Sequence, residues 1–203
     1  MRNGSYILSF TAAGVLRTES VALARLHQRC DNWEEVRANA IAENLLQARK
    51  SASAVRICRE LVFRLQGLSA AELALLREGT SPEQDQLLWI GICRRYRLIA
   101  EFALEVLRQR FLAFGPPLSL SDFDTFYNRK ADWSAELEAL APSTRKKLRQ
   151  VLFRMLREAR LTTDDGSIQP ALLSERLCRV VGQARPADLL YFPIFESDLA
   201  RRA

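Results

Sequence analysis

The chain has 203 residues, 48% apolar and 27% charged, with few Gly and Pro, which suits a globular protein and excludes a low-complexity or disordered one. Thirty Lys plus Arg against 24 Asp plus Glu leave a net +6, and the excess is mostly Arg, whose planar fork suits phosphate oxygens. The longest apolar run, Leu87–Cys93, is far short of the ~20 residues of a membrane helix.

Helical periodicity dominates the sequence. Helices are predicted at Thr18–Gln28, Trp33–Ala48, Ser53–Gln66 and Ala70–Glu78. Next comes Pro82–Phe114, a run that a break near Arg94–Arg97 would divide. Ser121–Arg129, Ser134–Ala139, Ser143–Arg160 and Ala171–Val181 follow. Ser69 with Glu72 has capping-box spacing, as does Ser81 with Gln84 around Pro82, and Ser121 with Asp124 is a weaker version. Gly115-Pro116-Pro117 is the natural boundary between an N-terminal helical domain, 1–115, and a C-terminal domain, 116–203.

The C-terminal domain has the element order of a winged helix-turn-helix. A helix bearing Leu120, Phe123, Phe126 and Tyr127 precedes a short helix with Leu137 and Leu140, then a long third helix. Residues 161–169 then read as a β-hairpin wing turned at Asp165-Gly166. The expected fold class is therefore mainly all-α, with a helix-turn-helix-like unit in the N-terminal domain and a winged helix-turn-helix in the C-terminal one.

The third helix concentrates the charge. From Pro142 to Arg160 seven basic residues face one acid, Glu158, a net +6 equal to that of the whole chain. Leu148, Leu152, Met155 and Ala159 form its apolar stripe. Arg145, Lys146, Lys147 and Arg149 are the expected phosphate contacts, with Arg154 further along. Ser143 and Thr144 can cap the helix or bond a phosphate, and Gln150 can reach an adenine edge. Few of these side chains suit bidentate base contacts, so weak or absent sequence specificity is expected. The two acids at the wing tip, Asp164 and Asp165, would be repelled by phosphate and point instead to packing or to a protein partner.

Arg59–Leu65 resembles Arg149–Met155 at a constant offset of 90, with Ser53 matching Ser143. Asp31-Asn32-Trp33 and Asp132-Trp133 precede the two helix pairs. The pattern suggests two related helical units, the first either structural or touching phosphate through Arg49, Lys50, Arg56 and Arg59.

Other residues point to structure rather than chemistry. His27 is the sole histidine, three residues before Cys30, and is expected on a helix surface beside a core cysteine. Cys30, Cys58, Cys93 and Cys178 lack CxxC spacing and fit reduced core positions in a cytoplasmic protein without a secretory signal. No metal-ligand, nucleotide-loop or catalytic pattern stands out, so no cofactor, no small-molecule substrate and no enzymatic activity are expected. Arg94-Arg95-Tyr96-Arg97 is expected at a helix break, paired with Glu101 and Glu105. Trp33, Trp89 and Trp133 are expected as core anchors, and Leu189–Phe195 as an apolar strap on the core or a partner-docking segment.

Tyr6–Gly14, Asn32-Trp33, Arg149–Leu156 and Asp188–Phe195 together resemble the BrxA family, a small helical component of bacterial BREX phage-defence systems. The resemblance implies a cytoplasmic protein encoded beside a DNA methyltransferase, an ATPase, a phosphatase-like and a protease-like protein. It also implies double-stranded DNA binding through helix-turn-helix folds, no enzymatic activity, and other BREX proteins as partners. A reported likeness of the family to the antitermination factor NusB keeps RNA as an alternative ligand, and a protein-docking adaptor is a third possibility.

Overall fold

The computed structural model describes residues 5–30, 32–47 and 50–201. Arg49, Asp31 and Ala48 lie outside the described residues, and with them part of the expected N-terminal phosphate set and the end of the second predicted helix. The described chain is all-α. Its helices are α1 (Arg17–Leu26), α2 (Trp33–Ala42), α3 (Ser51–Leu65), α4 (Ala70–Glu78) and α5 (Ser81–Arg95). They continue with α6 (Arg97–Phe102), α7 (Gln109–Leu112), α8 (Leu120–Ala131), α9 (Ala135–Glu138), α10 (Pro142–Glu158), α11 (Glu175–Ala184) and α12 (Glu196–Ala200). A π-helical stretch, Ala103–Arg108, joins α6 to α7.

Capping chemistry sets most of these starts. Ser69 and Glu72 form the expected reciprocal box at the head of α4. The next box is Thr80 with Glu83, one residue earlier than Ser81 with Gln84, which places Pro82 inside the first turn. At α8 the box is Ser119 with Asp122, not Ser121 with Asp124. That shift leaves Asp124 free to reach α10.

The long predicted run 82–114 does break, at Tyr96 (φ −117°, ψ 94°). The break lets Tyr96 enter the core fully, where its hydroxyl donates to Glu60 (2.7 Å) and accepts from Arg64 Nε (3.3 Å). Arg64 also donates to the carbonyls of Ala13 and Gly14, so one buried guanidinium ties the N-terminal segment to α3 and the α5–α6 elbow. Burial, strengthened by the bond to Glu60, pushes the Tyr96 phenol up to about 12.

Arg94 turns inward as well. It binds Glu72 at 2.7 Å and Asp188 at 2.6 Å, with all three side chains at most 8% exposed. Burial alone would raise the Glu72 carboxyl, but the bonds from Arg94 and Ser69 outweigh it and hold it below the usual carboxylate range. Asp188 belongs to the C-terminal strap, whose Leu189, Phe192 and Ile194 are buried and whose Tyr191 carbonyl accepts from the Trp89 indole (3.0 Å). Arg97 pairs with Glu101 as expected, whereas Glu105 binds Arg129 and Lys130 instead.

One apolar cluster runs through both halves of the chain. Phe102 of α6 meets Phe126 of α8 edge-on at 5.3 Å and Phe153 of α10 at 6.3 Å. Leu148, Leu152, Met155 and Ala159, the stripe expected on the third long helix, are all at most 4% exposed. Burying each such large side chain contributes ~1.5–3 kcal/mol. At the end of α10, Glu158 accepts from the Val15 backbone N–H (2.6 Å) and crowds Gly14, where any side chain would collide with the carboxylate.

The expected β-hairpin wing does not form, and with it the winged form of the helix-turn-helix is lost. Among the described residues there is no strand, and residues 161–169 make a tight turn with a single isolated bridge between Thr162 and Ile168. The Asp165 carboxylate explains the difference. It accepts from the Thr163 hydroxyl, the Ser167 N–H and the Ser167 hydroxyl, closing the turn on itself, and Pro170 ends any pairing beyond it. Gly166 adopts φ +86°, and a side chain there would run into the Leu118 carbonyl, so only Gly fits.

Candidate nucleic-acid interface

The three helices α8, α9 and α10 follow one another through short turns. α9 is a single turn, fixed by buried Leu137, whose carbonyl accepts from the Tyr127 hydroxyl (2.6 Å). Pro142 occupies the first turn of α10, where its missing N–H costs nothing. No side chain caps this end, so Ser143 and Thr144 stand exposed beside the free backbone N–H groups of the first turn.

Seven of the eight residues expected at the interface divide into two groups, and the eighth, Thr144, is exposed at the helix head. At 3.6 residues per turn, Ser143, Lys146, Lys147, Gln150 and Arg154 share the side of α10 that faces away from Leu148, Leu152 and Met155. All five are exposed. Lys146, Lys147 and Gln150 have no ion pair or side-chain hydrogen bond among the described residues, and Arg154 makes only a loose contact with Glu158 at 3.6 Å. Arg157 extends this face and pairs with Asp164 at 3.4 Å.

Arg145 and Arg149 lie on the other side and reach across to α8. Both bind the Asp124 carboxylate, Arg145 at 3.2 Å, and Arg145 also bonds the Asp124 carbonyl and covers the Tyr127 ring at 4.6 Å. These two guanidinia are half-buried, so part of their charge is already matched. A shallow cleft of about 320 Å³ remains between Asp124, Pro142, Arg145, Lys146 and Arg149 at the head of the helix. Helical spacing separates the two groups, but the engagement of Arg145 and Arg149 depends on Asp124 being released from capping.

The first helical unit offers a different surface. Lys50, Arg56 and Arg59 of the expected N-terminal set are exposed, but Ala54 is buried and Val55 is 45% exposed where α10 carries Thr144 and Arg145. His27 stacks on Trp33 at 4.0 Å, and burial, reinforced by the nearby Arg77, lowers its pKa. Trp89 is fully buried, whereas Trp133 is 83% exposed and is no core anchor. The four cysteines are free thiols, and no cluster of metal-ligating side chains occurs among the described residues. No described helix is long and apolar enough to cross a membrane.

The fold and this surface define a helical protein that presents a cationic helix face. Residues 4–184 match the model of the BrxA family, and the chain belongs to that family. It is 28% identical over 125 residues to a BREX protein BrxA from Bacillus cereus, covering 62% of each chain. It is 25% identical over 127 residues to a BREX protein BrxA from Escherichia coli, covering 63% of this chain and 58% of that one. These matches span about three-fifths of the length of the curated relatives. An uncharacterized protein from Magnetospirillum magneticum, known as a crystal structure, shares the fold with a TM-score of 0.80 at 19% identity, over 94% of this chain and 98% of that one.

Proposed function

We propose that this chain is a non-enzymatic, cytoplasmic accessory protein of a BREX phage-defence system that binds double-stranded DNA with little or no sequence preference. The observation that carries the proposal is the unpartnered face of α10. Lys146 and Lys147 stand on it with Ser143, Gln150 and Arg154, at the positive end of a 17-residue helix. In this reading α8, α9 and α10 act as a helix-turn-helix without a wing. Lys146 and Lys147 contact phosphates, Ser143 and Thr144 bond the backbone at the helix head, and Gln150 faces the groove. Arg145 and Arg149 are second-rank contacts that a phosphate gains only by competing with Asp124.

The test is fluorescence anisotropy with a labelled duplex of arbitrary sequence, competed in turn by unlabelled duplex and by a hairpin RNA of equal length. Wild type should bind, duplex should compete better than RNA, and the Lys146→Glu, Lys147→Glu double variant should lose at least about tenfold in affinity while keeping its helical circular dichroism. Preferential competition by RNA would replace DNA with RNA as the ligand. Absence of binding at low salt would refute a nucleic-acid role for this face.

A further inference from the structure

A second surface, apart from α10, carries an aromatic ring where the backbone favours glycine. The helix through α7 ends in a Schellman turn. Phe114 N–H donates to the Phe111 carbonyl (3.1 Å), and Gly115 N–H donates to the Arg110 carbonyl (2.9 Å). Phe114 itself takes the left-handed position of that turn, with φ 51°. A side chain with a Cβ is disfavoured in that conformation, which is why Gly usually fills it.

Burial does not offset this strain, because Phe114 is 84% exposed. Its ring lies 5.8 Å from Phe195, which in turn lies 4.7 Å from Phe111. With Pro117 and Ile168, Phe111 and Phe114 line a shallow depression of about 300 Å³. A strained backbone and a wetted ring at one residue are both unfavourable to the isolated fold, and such cost is characteristic of a contact surface.

The charge around the depression selects what fits. Ser167 lines it and donates its hydroxyl to Asp165 (3.0 Å), an exposed carboxylate with no cationic partner among the described residues. Glu196 follows Phe195, and its side chain is 81% exposed beside a single contact to Arg108 (3.1 Å). The cation lining the depression, Arg110, is already bound to Asp122 and reaches the carbonyls of Pro116 and Pro117. With Glu196 paired to Arg108 and Arg110 to Asp122, the unmatched charge at this corner is the Asp165 carboxylate, which disfavours phosphate and favours a cation.

We propose that the depression lined by Phe111 and Phe114, with Phe195 packed against both rings, docks a partner-protein segment whose apolar anchor side chain is flanked by lysine or arginine. The anchor covers the Phe114 ring, and the flanking cations meet Asp165 and Glu196. This assignment is independent of the DNA-binding face.

The probe is a fluorescein-labelled peptide with a central Leu-Trp-Leu and two lysines on either side, compared with the same peptide carrying glutamates. The lysine peptide should bind the full chain at least about tenfold more tightly than the glutamate peptide. Phe114→Gly removes the ring and relieves the backbone, so its Tm should equal or exceed that of wild type, while lysine-peptide affinity falls at least about tenfold. Phe114→Asn, which also tolerates the left-handed conformation, should behave alike. A clear drop in Tm for both variants would make the ring structural and overturn the proposal. So would equal binding of the two peptides, no binding of either, or undiminished binding by Phe114→Gly. Loss of duplex binding in Phe114→Gly would reassign the surface to nucleic acid and overturn it likewise.

Discussion

In α3, Glu60 and Arg64 are 2% and 3% exposed and bond to interior groups: Glu60 Oε2 accepts from Ser9 and Tyr96, and Arg64 donates to Tyr96 and the carbonyls of Ala13 and Gly14. At the aligned positions of α10, Gln150 and Arg154 face solvent. Yet Leu61, Val62 and Leu65 of α3 and Val151, Leu152 and Met155 of α10 are buried alike. The two helices share an apolar stripe and differ in what surrounds their polar positions. α3 is enclosed by the N-terminal segment and the α5–α6 elbow, so its arginine becomes a bracket. At the head of α10, Asp124 of α8 engages Arg145 and Arg149, while Lys146 and Lys147 stay available.

The sharpest way to break this comparison is to remove an internal arginine. Arg94→Ala would strand Glu72 and Asp188 in the interior, with an expected loss of about 3–5 kcal/mol and a fall in Tm on the order of 10 °C. Urea unfolding measures it, and a loss under about 1 kcal/mol would show that the internal cations are not brackets. By contrast, Lys146→Glu with Lys147→Glu should leave the urea midpoint almost unchanged, since both side chains are exposed and unpaired.

Acid titration probes the same interior. The Glu72 carboxyl is depressed in the folded state, so its contribution is fully present above the unfolded-state value of about 4.3 and is lost as pH falls through the lower folded value. The urea midpoint should decline below about pH 4, and Glu72→Gln should lower stability at pH 7 while flattening that decline. A decline of unchanged steepness in the variant would remove Glu72 from the acid response.

Two smaller effects sharpen the outer half of the comparison. Asp124→Asn weakens the clamp on Arg145 and Arg149, and duplex affinity at low salt should rise about two- to fivefold, the range of a partly exposed ion pair. Weaker binding would mean that Asp124 orients these arginines for the ligand. Arg56→Glu with Arg59→Glu on α3 should change duplex affinity by less than about twofold if that unit is structural. A larger drop would give the first unit a phosphate contact.

The apolar pattern was legible in the sequence because burial repeats with the helical period, and α4 was legible to the residue because Ser69 and Glu72 announce its start. The wing fails to form because Asp165-Gly166 specifies a tight turn without specifying the strands that should flank it: Asp165 takes the Ser167 N–H, and backbone pairing goes no further than Thr163 to Ser167 and Gln169 to Leu161. The pairing of Arg145 and Arg149 with Asp124 depends on Ser119 rather than Ser121 capping α8, a two-residue shift that leaves Asp124 facing both arginines. The exposure of Trp133 and Phe114 left no trace in composition, since both sit in turns where periodicity carries no information.

The central claim is that the outward face of α10 binds DNA through phosphates. The most direct measurement is the slope of log affinity against log salt for wild type and for Lys146→Glu, Lys147→Glu on the same duplex. A steep negative slope is expected for wild type, shallower by about 1.8 in the variant, as for two phosphates each contributing about 0.9. Equal slopes for the two proteins would contradict it.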